Sequence, residues 1–323
     1  MKLLLITDTH LGLKKSSDIW HDVTLNLFRE ITDVCLTKNI DTIIHLGDFF
    51  DEKKYTNQKT LDCAYEIANI VSPLKMVIIT GNHDIYYKEV VKPSSLKCFI
   101  NIKGIIVIDE PTVLLDTFSL IPWRGKVPSK GFFCLGHFEI NDFRQNNTSV
   151  CHDSVLNDKD FKGYEQVYSG HFHTPSSQGN ITYLGSAFQQ TFNDVGSSRG
   201  YYIWENGVLE FIEFKGAPRF IKLHTEDKIK DVEGNIVKLI YDKDYGTNKN
   251  NKILEEVESL RPLRLEPDFT NIVVEGEEGE VEEDISLVEH DDIIRKWVER
   301  EKIPENLNKK MLLLMIKKLR EEN

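Results

Sequence analysis

The chain has 323 residues, 40% of them hydrophobic, and a formal net charge of −12. That composition belongs to a soluble globular protein of about two domains, and no apolar run approaches the roughly 20 residues needed to span a bilayer. The five cysteines, Cys35, Cys63, Cys98, Cys134 and Cys151, are odd in number and widely spaced, with no C-x-x-C, which excludes a zinc finger or disulfide framework and points to reduced thiols in a cytoplasm.

The acidity is unevenly spread. Residues 1–215 carry 26 acids and 21 bases, whereas residues 216–323 carry 26 and 19. Seven acids and no base fall within residues 275–284. Bound divalent cations would offset part of the remainder, so the net charge does not exclude a nucleic-acid partner.

Strand and helix signals alternate from the start. The N-terminal apolar run is too short for a signal peptide and reads as a first strand, Lys2–Thr7. Ser17–Lys38 reads as a helix with Ile19, Val23, Leu27, Ile31 and Val34 on one stripe. Thr42–Leu46 is the next strand. Asn57–Val71 is the next helix, with Leu61, Ala64, Tyr65 and Ala68 facing inward. Lys75–Thr80 is the third strand, its core Met76-Val77-Ile78-Ile79 too short for a helix. The order predicts a parallel sheet with right-handed crossovers.

From Ile105 onward the pattern is mostly β, with short strands at Ile105–Ile108, Val113–Ile121, Phe132–His137, Gln166–His171, Ile181–Leu184, Tyr201–Trp204 and Val208–Phe214. Residues 1–215 therefore predict an α/β fold, a two-sheet β-sandwich flanked by helices, with two unequal sheets, one largely parallel and one mixed. Residues 216–274 form a small α/β capping domain, with strands Phe220–Leu223 and Ile236–Tyr241 and a helix Lys252–Leu260. Residues 275–284 are an acidic linker. Residues 285–323 are two amphipathic helices that break near Pro304, a helix-loop-helix.

Five strand ends carry polar motifs: Asp8-x-His10, Gly47-Asp48, Gly81-Asn82-His83-Asp84, Gly136-His137 and Gly170-His171-Phe172-His173. Side chains alternate along an extended segment, so Asp8 and His10 share a direction, as do His171 and His173. Singly, Asp8, Asp48 or Asn82 reads as a turn residue or cap, and His21, His45, His152, His224 and His290 read as surface or hydrogen-bonded histidines. Five such motifs after five apolar runs point to a metal site.

The set holds two carboxylates, one amide and four histidines besides His83, more than the three or four ligands of a mononuclear zinc site. Two ions about 3.5–4 Å apart call for a bridging carboxylate, and Asp48 is placed to be one. Mixed nitrogen and oxygen donors suit Mn²⁺, Fe²⁺ or Zn²⁺.

These motifs resemble those of the calcineurin-like metallophosphoesterases, whose pattern is D-x-H, G-D, G-N-H-[DE], a lone H and G-H-x-H. Asp8-Thr9-His10-Leu11-Gly12 and Gly47-Asp48-Phe49-Phe50-Asp51 are most similar to the SbcD branch, the Mre-eleven-type nuclease subunits of DNA repair complexes. Gly185-Ser186, Phe192 and Arg199-Gly200 resemble its later segment. The compact length and Ile121-Pro122-Trp123 look like the small recombination endonuclease subunit of tailed phages. The resemblance covers residues 1–215, and beyond that it matches in layout only.

The resemblance implies the metallophosphoesterase fold and two metal ions, in this branch Mn²⁺. Asp8, His10, Asp48 and His173 would hold one, and Asp48, Asn82, His137 and His171 the other. It implies that His83 stabilises the transition state or protonates the leaving oxygen, with Asp84 orienting His83 or a ligand histidine. Some relatives have a histidine where Asp51 stands.

The implied activity is a DNA nuclease, exonuclease or endonuclease, acting in recombination, double-strand-break repair or replication in a bacterial or phage-infected cytoplasm. A phosphatase or cyclic-nucleotide phosphodiesterase is the alternative on the same scaffold. A non-catalytic scaffold is a third, disfavoured by the complete ligand set. Lys14, Lys15, Lys53, Lys54, Lys88, Arg124 and Lys126 lie in loops after the motif strands, where phosphate-contacting cations commonly sit. Trp297, Leu307, Met311, Leu314 and Met315 give the final helices more apolar surface than they can bury against each other. The resemblance makes that surface a docking site for the coiled coil of an SbcC-type ABC ATPase, with a homodimer as a second expected assembly.

Overall fold

The structure, a computed structural model, describes residues 1–87, 90–145, 149–243 and 245–270. Lys88 therefore lies outside the described residues, as do the acidic linker, the helix-loop-helix and its five docking residues.

The strands in chain order are β1 (Lys2–Ile6), β2 (Thr42–His45), β3 (Lys75–Ile79), β4 (Ile105–Ile108), β5 (Thr112–Leu114), β6 (Phe118–Ile121), β7 (Gly131–His137), β8 (Tyr164–Gly170), β9 (Ser176–Gln178), β10 (Ile181–Tyr183), β11 (Gly200–Glu205), β12 (Val208–Glu213), β13 (Phe220–His224), β14 (Ile236–Ile240) and β15 (Arg264–Asp268). They form two six-stranded sheets, β12-β11-β1-β2-β3-β4 and β5-β6-β7-β8-β10-β9, and a three-stranded sheet β13-β14-β15. The expected inequality of the two large sheets does not hold, and both are mixed. β1 to β4 run parallel, but β11 returns antiparallel beside β1, pairing Leu3 with Trp204.

Between the large sheets lies one apolar layer. Leu3, Leu5, Ile44, Leu46, Val77 and Ile79 from the first meet Phe118, Leu120, Leu135 and Tyr168 from the second. The alternate residues Leu4, Ile6, Ile43, Met76 and Ile78 face two helices, Asp18–Thr37 and Gln58–Ile70. Both faces of the central strands are covered, which is why these strands read as near-continuous apolar runs.

The buried stripe of the first helix is offset from the expected one. Trp20, Val23, Leu27, Phe28 and Ile31 are buried, while Ile19 is exposed. Trp20 takes the inward place by stacking on Phe188 at 5.6 Å and on Phe220 of the third sheet at 6.2 Å. Tyr65 likewise faces solvent, and Cys63, Ala64, Ile67 and Ala68 line the helix interior.

The third sheet is wholly parallel, with helix Thr247–Ser259 connecting β14 to β15. β15 is a strand beyond the two expected in this unit, and it contains Pro267, a residue that disfavours strands. The proline is tolerated because β15 is an edge strand, where a missing N–H costs little. No helix among the described residues is long and apolar enough to cross a membrane.

Candidate metal centre

The polar motifs all leave the carboxyl ends of parallel strands. Asp8 and His10 follow β1, Asp48 follows β2, Asn82 and His83 follow β3, His137 ends β7, and His171 and His173 follow β8. Packing the two sheets face to face brings these ends to one place.

The chain turns sharply there. Asp8, His10, Asp48 and His171 all have left-handed backbones, with φ of 52°, 44°, 54° and 89°. Each costs of order 1–3 kcal/mol and persists only where the surroundings enforce it. Here they do: the Asp8 N–H donates to Gly47 O at 3.1 Å, the His10 N–H to Asp48 O at 3.1 Å, and the His171 N–H to the Asp8 carboxylate at 3.1 Å. Gly47, at φ 99°, leaves room that a Cβ would fill, since that atom would lie 2.5 Å from His137 Nδ1. A Cβ on Gly81 would collide with the Asp48 backbone nitrogen and Oδ1.

Two groups of donors result. In the first, His10 Nε2 faces His173 Nε2 at 3.1 Å, with Asp8 Oδ1 3.9 Å from each. In the second, Asn82 Oδ1 lies 3.0 Å from His137 Nε2 and 2.9 Å from His171 Nδ1. Asp48 stands between them, with Oδ2 3.8 Å from His10 Nε2 and 3.3 Å from His137 Nε2. The sets Asp8–His10–His173 and Asp48–His137–His171 each keep their ligand atoms within 4.8 Å of one another. Two imidazole nitrogens 3.1 Å apart, beside buried carboxylates, can share at most one proton, and a cation fits that arrangement of lone pairs.

Electrostatics reflect the crowding. Burial pushes the Asp48 carboxyl up, but His137, His10 and His83 outweigh it and hold it well below the usual carboxylate range. Burial disfavours charge on His137, yet Asp48 and Asp8 raise its pKa to about 9. The His137 Nδ1–H donates to Leu46 O at 2.8 Å, which directs Nε2 at the Asp48–Asn82 side. His45, set aside as a ligand, is buried against Thr9 Oγ1 at 2.9 Å, and burial lowers its pKa to about 3.

His83 donates Nδ1–H to the Asp51 carbonyl at 2.7 Å, and its backbone N–H donates to Asp48 Oδ1 at 2.7 Å. Its ring meets His10 edge-on at 4.7 Å. His83 also falls within 4.8 Å of His10 and Asp48 as a third donor group.

Asp84 has another position than the one expected. Its carboxylate accepts from Phe50 N–H and Gly81 N–H, both at 2.9 Å, so it ties the loops after β2 and β3 together through backbone rather than imidazole. Burial, with Asp48 nearby, raises its pKa to about 6.

Of the candidate phosphate contacts, Lys14 and Lys15 sit in a short helical turn, Leu13–Ser16, after β1, Lys53 and Lys54 in the loop after β2, and Arg124 and Lys126 after β6. Lys14 Nζ lies 6.0 Å from the Phe220 ring, and the Arg124 guanidinium lies 5.1 Å from Trp123. Several residues at the site went unassigned from sequence. The Thr7 hydroxyl donates to Asp8 Oδ2 at 2.7 Å, Glu139 Oε1 lies 3.7 Å from His171 Nε2, and Trp123 packs on His171 at 4.9 Å. For Glu139 the signal was available: it stands two residues past His137.

The profile of the calcineurin-like phosphoesterase family matches residues 1–221. The chain is 31% identical over 230 residues to exonuclease subunit 1 of Enterobacteria phage T4, covering 66% of this chain and 67% of that protein. It is 27% identical over 127 residues to the DNA double-strand break repair protein Mre11 of Sulfurisphaera tokodaii, covering 39% of this chain and 28% of that one. Among solved structures, the Pseudomonas putida nuclease MPE matches with a TM-score of 0.34 and 20% identity over 65% of this chain and 87% of that one. The chain belongs to the calcineurin-like phosphoesterase family and is a metallophosphoesterase.

Proposed function

We propose that this chain is the nuclease subunit of a DNA-processing assembly, a Mn²⁺-dependent phosphodiesterase acting on DNA ends or single strands in recombination, repair or replication. The observation that carries the reading is Asp48 standing between two donor groups, 3.8 Å from His10 and 3.3 Å from His137. The likeness to a phage exonuclease subunit and to Mre11 proteins supports DNA as the substrate.

On this reading Asp8, His10, Asp48 and His173 hold one ion, and Asp48, Asn82, His137 and His171 the other. When bound, the ions supply charge neutralisation at the phosphate and a water acidified for attack. Asp48 would be the carboxylate common to both sets. The Leu46 carbonyl fixes the His137 tautomer so that Nε2 is the donor nitrogen. His83, tied at Nδ1 to Asp51, keeps Nε2 for the leaving oxygen. Burial lowers its pKa, so the doubly protonated ring that this role needs is disfavoured in the free protein and would depend on the negative charge of a bound phosphate.

Residues 285–323 would dock on the coiled coil of an SbcC-type ATPase, a proposal that rests on their apolar excess and the family layout. Their removal should leave a folded protein that no longer co-purifies with such a partner. The site of action would be a bacterial or phage-infected cytoplasm.

The test is a Mn²⁺-dependent digest of linear duplex and single-stranded DNA beside a small phosphomonoester. DNA cleavage with little monoester hydrolysis supports the reading. The reverse result overturns it in favour of a phosphatase.

A further inference from the structure

The segment from Ser186 to Arg199 belongs to neither donor group, yet it touches the ends of one of them. The Ser186 N–H donates to the His173 carbonyl at 3.1 Å. Gln190 Nε2 donates to the Asp8 carbonyl at 2.7 Å. Asp8 and His173 are both assigned to the same ion, and Asp8 is one of the left-handed residues at the site, with φ 52°. A hydrogen bond to its carbonyl therefore holds a peptide that would otherwise relax.

Gln190 is itself held. Its N–H and that of Thr191 both donate to Asp194 Oδ2 at 3.0 Å. Asp194 Oδ1 accepts from Arg199 Nη2 at 2.6 Å. Gln190, Asp194 and Arg199 are 2%, 2% and 3% exposed. Arg199 Nε and Nη1 have no hydrogen-bond partner among the described residues. Burying a guanidinium with two unmet nitrogens is expensive, and a chain that needed only a packed core would place an apolar side chain there. No comparable side-chain brace reaches the carbonyl of His137 or Asn82 among the described residues.

We infer that Arg199, Asp194 and Gln190 form a positioning brace for one ion of the pair, acting on Asp8 through its carbonyl and, with Ser186, on His173. The inference rests on the two-ion reading. Its residues act on Asp8 and His173 from the main-chain side. Their effect is to hold Asp8 and His173 in the geometry that the first ion needs, and the Asn82–His137–His171 group feels it only through the Asp8 carboxylate that accepts the His171 N–H. Residues that orient metal ligands in this way typically change metal affinity by 10–100-fold when lost.

The experiment is Mn²⁺ titration of the metal-free full-length protein by calorimetry, with electron paramagnetic resonance on the loaded samples. Gln190→Met removes the bond to Asp8 while keeping side-chain volume. Asp194→Asn weakens the brace further back, and serves if Gln190→Met does not fold. Thermal melts of the metal-free proteins show that each variant is intact.

The wild type should bind two equivalents and show an exchange-coupled pair. Gln190→Met should weaken one equivalent by tenfold or more, weaken the other by clearly less, and give the six-line signal of an isolated Mn²⁺ at one equivalent. Asp194→Asn should shift the same equivalent in the same direction. Two equivalents of unchanged affinity in a folded variant overturn the inference alone. Equal weakening of both equivalents also overturns it, since that is a general loss of packing. Fewer than two equivalents in the wild type overturns the two-ion reading, and the brace with it.

Discussion

Asp51 Oδ1 lies 3.3 Å from His10 Nδ1, the ring nitrogen opposite the one that faces His173. The Asp51 backbone carbonyl meanwhile accepts from His83 Nδ1 at 2.7 Å. One residue thus addresses a candidate ligand through its side chain and a candidate acid through its main chain. A carboxylate behind a ligand histidine fixes its tautomer and raises its basicity.

Replacing Asp51 by Asn separates these two roles. The main-chain contact to His83 survives, while the carboxylate behind His10 is lost. Mn²⁺ affinity should fall by roughly 10–100-fold, with kcat largely restored at saturating metal. A metal titration combined with kcat at high Mn²⁺ reads both quantities. Unchanged affinity would show that the 3.3 Å approach has no consequence for His10.

His83 is expected to act on chemistry rather than on metal. Although it lies near His10 and Asp48, its Nδ1 is committed to Asp51 O and its backbone N–H to Asp48 Oδ1. His83→Gln should keep both ions and DNA affinity while kcat falls by about 10²–10⁴-fold. Loss of an ion in that variant would make His83 a ligand.

Stability should respond to alkaline pH through buried thiols. Burial raises the Cys35 and Cys63 pKa values to about 12. In the unfolded chain they titrate near ~8.5. Their full contribution is present below that value and is lost as pH rises toward the folded pKa, because the unfolded state releases protons first. The urea midpoint should decline from pH 8.5 to 10, and neither thiol should react with a thiol reagent at pH 8 until the chain is unfolded. Rapid labelling of native Cys35 or Cys63 would refute the burial argument.

The donor set was legible in the sequence because each residue follows a short apolar run, and parallel strands buried on both faces must end at a common edge. Asp8, Asp48, Asn82, His137 and His171 converge for that reason. What escaped was set by distant packing. Trp20 displaces Ile19 inward because Phe188 and Phe220 supply a stacking surface, and nothing in helical spacing announces it. Asp84 looked like an imidazole partner from its place beside His83, but the β2 and β3 loops converge on it and present two backbone N–H groups instead. Gln190 reaches Asp8 across 182 positions of sequence, a relationship no local pattern carries. β15 went unread, and its Pro267 is permitted only by its place at a sheet edge.

The role of Asp48 bears most directly on the whole account, since its Oδ2 lies between the two donor groups, 3.8 Å from His10 Nε2 and 3.3 Å from His137 Nε2. The measurement is the Mn²⁺ stoichiometry of Asp48→Asn by equilibrium titration, on protein whose circular dichroism matches the wild type, together with its DNA hydrolysis. The account predicts fewer than two bound ions and no detectable cleavage. Two ions bound at wild-type affinity, with DNA hydrolysis intact, would contradict it.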